Sequence, residues 1–489
     1  CVWRPNPTCS ELEQREPWGC GNYHPMKLWR IGLVTLAAMA LWLPVFWTFF
    51  TEHPPEPDPL YAEPVLPPEV ESSAPPEEWP HCVNRTTAAE LLQTRKVTVS
   101  FPILGRRNMY WQKNPEKDLA PEDRSLFVVE KAYREMWSRR GVSIQRSLNA
   151  TFVVSKQAKR PHVSTRCKNY PKHQVFNHFD FSEFFTVKSS LGRTLKKFSY
   201  AMPHKAADID LLFPSSFALY SPDDCRGFRQ QVGSAMWIHK QDRAHNSQGV
   251  RLLTAEEAER MAANCGGNMR QGLVQRYLPN PLLVDGHKCD FRVYLYVPTS
   301  FPVIAFFSPV FYIRCGHQRF NVSSVDLENV VTNTKVKGHL REGANYSELV
   351  LGPSQFQRQM SRQGLPDDFV QAKLLPEMKA KLGLLMEVMY FEATLAQLNN
   401  TDYELFGIDL MLDANLNLWL IEVNSSPGLE KSLGARKEAV EAILPPVIDL
   451  QLDLLRFAAS GRPRRSLTPR DLPSKGVLEL VYVSPEKST

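Results

Sequence analysis

The chain has 489 residues, which is enough for two or three domains, and 43% of them are hydrophobic, which is enough for a folded core. The formal net charge of +6 is mild and spread along the chain. The composition therefore does not indicate nucleic-acid binding, for which a concentrated basic surface is expected.

The first element predicted along the chain is a helix that crosses a membrane. Residues 31–50 carry no charge, and about twenty apolar residues suffice to span a bilayer. Lys27 and Arg30 precede this run, whereas the next lysine or arginine after it is Arg85. The positive-inside rule then predicts a type II signal anchor over residues 28–50, with the following chain in the lumen of the endoplasmic reticulum or Golgi, or outside the cell.

A cleaved signal peptide starting at Met26 is an alternative that gives the same compartment. A buried helix of a soluble domain is a second alternative, and a domain that faces the cytosol is the alternative localisation. Residues 1–27 are predicted as a cytosolic segment. Residues 51–81, rich in proline and acid, are predicted as an extended stalk.

Two further patterns agree with a lumenal domain. Six N-x-Ser/Thr sequons, where roughly three would arise by chance, begin at Asn84, Asn149, Asn321, Asn345, Asn399 and Asn424. Six cysteines follow the predicted span: Cys82, Cys167, Cys225, Cys265, Cys289 and Cys315. An even number permits disulfides, although reduced core thiols remain an equal interpretation for Cys289 and Cys315.

The globular part begins near residue 82, and residues 82–220 are predicted as an N-terminal subdomain. Its elements are strands at 97–101, 126–129 and 151–155 and a helix at 180–195.

Residues 221–460 are predicted as the central and C-terminal subdomains. A strand over 236–240 ends in Lys240 and is followed by a polar loop over 241–248. Such a loop can lie over nucleotide phosphates, with the lysine as a positive contact. A surface lysine beside a loop is the alternative.

The run 284–297 predicts a strand with one charged face. Lys288, Asp290 and Arg292 occur at every second position, so they share a face, and the residues between them are apolar. Two cations and one acid suit ATP, and a solvent-exposed salt-bridged face is the alternative.

The most informative stretch, 406–429, predicts a hairpin whose turn is formed by residues 413–416. Asp409 lies on the first strand, and Glu422 and Asn424 on the second. Three converging oxygen ligands beside buried β-structure suit Mg²⁺. The alternative is a structural hairpin with three incidental polar groups.

Two helices and a tail complete the prediction. Apolar residues at helical spacing predict a helix over 376–398. A last helix over 436–455 is expected to be interrupted at Pro445-Pro446. Residues 461–489 are predicted as a tail with a solvated basic run.

Several of these motifs, in this order, resemble the tubulin tyrosine ligase-like proteins of the ATP-grasp superfamily over about residues 165–455. The motifs that carry the resemblance are Asn177-His178-Phe179 before Lys188, Trp237-Ile238-x-Lys240, Gln275-Arg276-Tyr277, Asn280-Pro281-Leu282-Leu283, Lys288-x-Asp290-x-Arg292, Thr332-Asn333, Phe406-Gly407-Ile408-Asp409 and Asn424-Ser425-Ser426-Pro427.

The resemblance implies an α/β (α+β) ATP-grasp fold of three subdomains, with ATP and Mg²⁺, as two ions, as cofactors. It implies an ATP-dependent ligase that adds an amino acid, glutamate or glycine, to a protein carboxylate through an acyl phosphate. The implied magnesium ligands are Asp409, Glu422 and Asn424, and the implied catalytic residues are Arg292, Arg319 and Glu422. The implied nucleotide-binding residues are Lys188, Lys240, Gln275, Arg276, Tyr277, Leu278, Lys288, Asp290, Thr332 and Asn333.

The sequence departs from the family pattern in two places. Ser247 stands where the phosphate loop has its first glycine, and Gly338 stands where a lysine that places the amino acid is expected. A nucleotide-binding membrane protein with weak or no activity is therefore the alternative function. The acceptor is tubulin by family or a lumenal protein by topology, and no nucleic acid is expected as a partner.

Overall fold

The computed structural model describes residues 88–93, 97–100, 134–145, 150–154, 175–179, 181–242, 249–266, 272–332, 349–395, 402–429 and 434–485. The predicted anchor, the stalk and the strand at 126–129 lie outside these residues. Within the described ranges, no helix has both the length and the apolar character needed to cross a membrane.

The described strands form three sheets, which agrees with the predicted mixed α/β fold. The first sheet is parallel, with the strand order β2-β1-β3-β4. Its strands are β1 Thr98–Ser100, β2 Ser143–Gln145, β3 Phe152–Val153 and β4 Val175–Phe176. The predicted strands at 97–101 and 151–155 are confirmed, and both are shorter than predicted.

The second sheet is antiparallel, with the order β5-β8-β6-β7. Its strands are β5 Ser216–Ala218, β6 Trp237–Lys240, β7 Val250–Leu252 and β8 Leu273–Arg276. Two helices, Pro222–Gln231 and Ala255–Asn264, supply Phe228 and Ala258 to the core under this sheet. The predicted strand that ends in Lys240 is confirmed.

The third sheet has eight strands and contains the hairpin. Its strands are β9 Leu283–Val284, β10 His287–Ser300, β11 Val303–Phe307, β12 Tyr312–Cys315, β13 Val350–Leu351, β14 Glu404–Leu412, β15 Leu418–Asn424 and β16 Glu479–Val483. The order is β13-β12-β10-β11-β16, and β14 pairs with both β10 and β15. Because β16 pairs with β11, the predicted tail 461–489 contributes a strand to this sheet.

The α-helices of the described residues pack on these sheets or on one another. They are α1 Ala88–Gln93, α2 Glu183–Thr186, α3 Lys188–Ala201, α4 Ala206–Asp210, α5 Pro222–Gln231, α6 Ala255–Asn264, α7 Leu327–Val330, α8 Pro353–Arg362, α9 Leu375–Leu395 and α10 Ala435–Ala459. The predicted helix at 180–195 is two helices, because Val187 between α2 and α3 is extended. The helix predicted over 376–398 is confirmed as α9.

The expected interruption at Pro445-Pro446 is wrong, because α10 continues through both prolines. Each proline removes one backbone hydrogen bond and crowds the preceding turn. Val440, Leu444 and Ile448 of this helix are buried against the large sheet. This packing outweighs the lost hydrogen bonds, as tertiary contacts commonly do for helices.

Alternation along β10 places the large sheet between two apolar layers. Phe291 and Val293 face the core that contains α9, whereas Tyr294 and Tyr296 face the core that contains α10. The charged residues Lys288, Asp290 and Arg292 occupy the same face as the two tyrosines, at the other end of the strand. A rigid, apolar scaffold therefore holds the charged end of β10.

Two disulfides join described cysteines, Cys225 to Cys265 and Cys289 to Cys315. The second bond connects partners that lie opposite each other on β10 and β12. The structure thus decides the open question on Cys289 and Cys315 in favour of a disulfide.

We expect replacement of both Cys225 and Cys265 by alanine to lower the free energy of unfolding by about 2–4 kcal/mol, because the bond closes a loop 40 residues long. Denaturant unfolding of the oxidised protein measures this difference. Alkylation of both thiols in unreduced, unfolded protein would contradict the disulfide itself.

Candidate nucleotide site

The registers of four neighbouring strands bring the predicted charged residues together. Asp290 lies opposite Arg314, Arg292 lies opposite Asp409, and Asp409 lies opposite Glu422. Directly opposed residues of antiparallel strands share a face. The predicted ATP face and the predicted magnesium hairpin are therefore one continuous surface.

A β-bulge at Ile421 turns the side chains of Glu422 and Asn424 toward this surface. Leu420 pairs with Leu410, but Glu422 pairs with the adjacent Asp409, so Ile421 is an extra residue. Without it, Glu422 would share the core-facing side of Leu418 and Leu420, since side chains alternate along a strand. The bulge therefore places Glu422 and Asn424 on the charged face.

Gly407 makes room for the arginine of this face. A Cβ at this position would lie 2.7 Å from the Cβ of Pro427 and 3.3 Å from Cδ of Arg292. A larger residue at Gly407 would clash with Pro427 and crowd the Arg292 side chain.

Two arginines and two aspartates form a nearly buried ion network. Arg292 donates to Asp409 from Nε at 2.5 Å and from Nη2 at 2.9 Å. Arg314 donates to Asp290 at 2.7 and 2.6 Å, and its Nη2 also lies 2.9 Å from Asp409 Oδ2. Burial alone would raise the pKa of Asp409, but Arg292 and Arg314 outweigh it and hold that pKa well below its usual range.

Glu422 and Asn424 are the part of the predicted magnesium set that fits a cation best. Asn424 Nδ2 donates to Glu422 Oε1 at 3.2 Å. Burial, and then the neighbouring Asp409, raise the pKa of Glu422. A divalent cation would relieve this repulsion, and a rotated Asn424 amide would offer it an oxygen. Both oxygens of Asp409 accept from arginines, but Oδ1 accepts from Arg292 Nε alone, so its second lone pair could still join the cation.

No group of three or more His, Cys, Asp or Glu side chains among the described residues could hold a metal. The candidate pair of Glu422 and Asn424 contains only one carboxylate, so the cation would need further oxygens. The phosphates of a nucleotide are the usual source of such oxygens for Mg²⁺.

Lys288 lies at the end of the charged face that is close to the second sheet. Its Nζ donates to Tyr277 Oη at 3.1 Å and to the carbonyl of Val330 at 2.8 Å. Thr332 donates to Asp290 Oδ2 at 2.6 Å, so the segment after α7 is bound to the same strand. The predicted residues Tyr277, Lys288, Asp290 and Thr332 therefore form one group.

Lys240 is the corresponding cation of the second sheet. Its buried Nζ donates to Gln275 Oε1 at 2.6 Å. Lys188, at the start of α3, has its Nζ 4.0 Å from Glu422 Oε2. The chain directly after Lys240 is bound to α3, because Asp242 accepts from the backbone N–H and from the hydroxyl of Ser189, both at 2.8 Å.

The two buried lysines donate their hydrogen bonds to neutral groups, so no carboxylate of the described residues balances their charge by direct contact. Burial lowers the pKa of Lys288 to about 7 and, despite the attraction of Glu422, the pKa of Lys240 to about 8. Their hydrogen bonds within the described chain go to an amide oxygen, a phenol and a peptide carbonyl. When both lysines are protonated, they give five cations together with Lys188, Arg292 and Arg314, against the three acids Asp290, Asp409 and Glu422. The surplus positive charge suits a polyphosphate.

The structure does not bring every predicted residue into this group. Arg319 is exposed, and its guanidinium lies against the turn at Gly286. Arg276 is exposed at the end of β8, and Leu278 is half-buried beyond it. Asn333, Ser247 and Gly338 lie outside the described residues.

Arg314 and Asp242 are not among the residues that the sequence predicted for the site. Arg314 could have been found from the alternation along β12, in which Tyr312 and Arg314 flank the apolar Ile313. The sequence carries no signal for the contact between Asp242 and Ser189, which joins residues 53 positions apart.

The model of the tubulin-tyrosine ligase family matches residues 164–456. This range covers more than half of the chain and includes every residue of the ion network. The chain belongs to the tubulin-tyrosine ligase family. The matched range agrees with the predicted 165–455.

Relatives in this family bear names of amino-acid-adding enzymes. The chain is 27% identical to the protein polyglycylase TTLL10 of Rattus norvegicus over 53% of this chain and 41% of that protein. It is 29% identical to the probable tubulin polyglutamylase ttll-9 of Caenorhabditis elegans, over 58% of this chain and 70% of that protein. It is 26% identical to the inactive polyglycylase TTLL10 of Homo sapiens over 54% of this chain and 42% of that protein.

We expect affinity for an adenine nucleotide to fall as pH rises from about 7.5 to 9. The ligand-free pKa values of Lys288 and Lys240 are about 7 and 8, and a bound polyphosphate would raise both, so binding takes up protons in this window. The binding constant then falls by up to about tenfold per pH unit for each lysine that must take up a proton when the nucleotide binds.

Titration with a fluorescent ATP analogue at constant ionic strength measures this dependence. Lys288→Met should weaken binding and flatten the profile, whereas Lys379→Met, at an exposed lysine on α9, should leave it unchanged. A profile that is flat in the unsubstituted protein would contradict the assignment of these lysines.

Proposed function

We propose that the chain is an ATP- and Mg²⁺-dependent ligase that adds glutamate or glycine to a protein carboxylate. The observation that carries the proposal is the convergence of Lys240 and Lys288 on the face that holds Arg292, Asp409 and Glu422. The names of the relatives support the reaction class.

The residue types suit the two steps of such a ligation. Transfer of the terminal phosphoryl group of ATP to the acceptor carboxylate forms an acyl phosphate and ADP. The amine of the incoming amino acid then displaces phosphate and forms the amide. Bound Mg²⁺ would neutralise phosphate charge at Glu422 and Asn424. Lys240 and Lys288 would bind and orient the nucleotide, and Arg292 would stabilise charge on the reacting oxygens.

A second candidate function is nucleotide binding without ligation. Both oxygens of Asp409 accept from arginines, which reduces the negative charge that this carboxylate offers to a metal. Ser247 and Gly338 also depart from the family pattern. A rise in melting temperature with ATP, but no amino-acid incorporation, would favour this function.

We expect radiolabelled glutamate or glycine to enter an acceptor protein when ATP and Mg²⁺ are present. Glu422→Gln removes the carboxylate and should lower incorporation about a hundredfold or more, the effect of losing several kcal/mol of charge stabilisation. Glu256→Gln, at an exposed carboxylate on α6, is the matched control and should leave incorporation unchanged. Incorporation that survives Glu422→Gln would exclude this site.

We further propose that residues 28–50 anchor the protein in the membrane and that its domain faces the lumen of the secretory pathway. The two disulfides support this topology, because disulfides persist in oxidising compartments. The sequon residue Asn321 is exposed, as a glycan acceptor must be. A lumenal protein would then be the acceptor, whereas a cytosolic domain would act on tubulin.

Endoglycosidase treatment should increase the gel mobility of the protein if the domain is lumenal. Ser323→Ala destroys the sequon at Asn321 but keeps the bond from the backbone N–H of residue 323 to Asn321 Oδ1. Ser323→Thr preserves the sequon and is the matched control. Absence of any shift, combined with protease sensitivity in intact microsomes, would place the domain in the cytosol.

A further inference from the structure

We infer that Asp242 is a positioning residue that holds Lys188 beside Lys240 and thereby sets the affinity of the site for the phosphates of a nucleotide. The inference rests on the nucleotide site of the proposed function, because it takes ATP to be the ligand of both lysines. Neither the family resemblance nor the motifs that carry it assign a role to Asp242.

Asp242 binds the first turn of α3 with both of its carboxylate oxygens. Oδ1 accepts from the backbone N–H of Ser189 and Oδ2 accepts from the Ser189 hydroxyl, both at 2.8 Å. Ser189 is 2% exposed and Asp242 is 9% exposed, so water competes little for these bonds. The contact therefore holds the chain after β6 against the start of α3.

The helix α3 takes its N-terminal cap from this distant residue. The first four N–H groups of a helix have no partner inside it, and a polar side chain just before the helix commonly accepts from one of them. Val187, the residue before α3, forms no such side-chain bond. Asp242 supplies the acceptor instead, and its negative charge suits the positive end of the helix dipole. The start of α3 is thus defined by a residue that follows β6.

The two lysines lie next to this contact in the chain. Lys188 directly precedes Ser189, and Lys240 lies two residues before Asp242. The Nζ of Lys188 is 4.0 Å from Glu422 Oε2. Burial lowers the pKa of Lys240, Glu422 raises it, and the positive charge of Lys188 lowers it again, so both ammonium groups lie near the same carboxylate.

Two ammonium groups that lie near each other repel, so their arrangement needs a structural constraint. The bonds between Asp242 and Ser189 supply that constraint, because each partner is close in sequence to one of the lysines. A polyphosphate would then meet two cations that are already in place, and less of its binding free energy would be lost in ordering them.

Charge and geometry predict opposite effects for the loss of Asp242. The carboxylate is negative, so by charge alone its removal would strengthen the binding of an anion. Removal also frees the first turn of α3, and a displaced Lys188 would weaken binding. The sign of the change in the nucleotide Kd therefore distinguishes a positioning role from a general electrostatic one.

The test measures the Kd of a fluorescent ATP analogue for the full-length chain, together with its melting temperature. We expect Asp242→Ala to raise the Kd by about tenfold, the equivalent of about 1.4 kcal/mol. Asp242→Asn keeps an oxygen for the backbone N–H and an amide that can donate to the Ser189 hydroxyl, so its Kd should stay within about threefold of the unsubstituted value. Ser189→Ala removes one of the two bonds, and its Kd should lie between that of the unsubstituted protein and that of Asp242→Ala. If Asp242→Ala does not fold, Ser189→Ala carries the test.

Asp224→Ala is the matched control. Asp224 also connects α3 to the second sheet, because it accepts from Lys196 Nζ at 2.6 Å and from the backbone N–H of Ala218 at 2.8 Å. It is 6% exposed, and its partner on α3 lies about two turns beyond Ser189. This variant should lower the melting temperature at least as much as Asp242→Ala and leave the nucleotide Kd unchanged.

A double-mutant cycle tests whether Asp242 acts through Lys188. Lys188→Met removes the ammonium group, so the position of the start of α3 should no longer affect phosphate binding. On this background we expect Asp242→Ala to raise the Kd by less than about twofold. Additive losses would contradict a role through Lys188.

The outcomes separate the inference from the proposed function. If the unsubstituted protein binds no nucleotide, both are overturned. If it binds ATP but incorporates no amino acid, the ligation is overturned and the inference stands. If Asp242→Ala binds nucleotide equally well or more tightly, or if Asp224→Ala raises the Kd to the same extent, the inference alone is overturned.

Discussion

Charge buried on one face of a sheet is the constraint on which the site depends. A carboxylate or guanidinium removed from water is costly unless it is paired. Arg292 and Arg314 alternate with Asp290 and Asp409 across β10, β12 and β14, so this part of the face is neutral. The buried lysines are not balanced in this way. In their protonated form, their surplus charge would attract the phosphates of the proposed nucleotide.

The apolar layers make this arrangement possible. Phe291 and Val293 fix β10 from one side, and Tyr294 and Tyr296 fix it from the other, so the charged end of the strand cannot turn away. The bulge at Ile421 then reverses the alternation of β15 at the point where leucines give way to Glu422. Core packing and site geometry are therefore set by the same strands.

The sequence predicted the parts of the site that follow from alternation within a single strand. Lys288, Asp290 and Arg292 occur at period two, and the structure places them on one face as expected. Periodicity carries no information on an extra residue such as Ile421 or on pairing between distant strands. Arg314 faces the network and Arg319 lies on the surface, because β12 ends at Cys315 before Arg319 is reached.

The fold departs from the sequence prediction where tertiary contacts override local preference. The prolines at 445 and 446 stay helical because α10 is packed along its length. The segment after residue 460 forms β16 because β11 offers it a strand edge. Both outcomes depend on partners more than a hundred residues away, which a local pattern cannot reveal.

An experimental structure of the domain with a non-hydrolysable ATP analogue and Mg²⁺ tests the central claim most directly. We predict that the triphosphate lies between Lys240 and Lys288, that a magnesium ion binds to Glu422 and Asn424, and that Arg314 remains bonded to Asp290 and Asp409. A nucleotide bound elsewhere, or a triphosphate that contacts neither lysine, would contradict it.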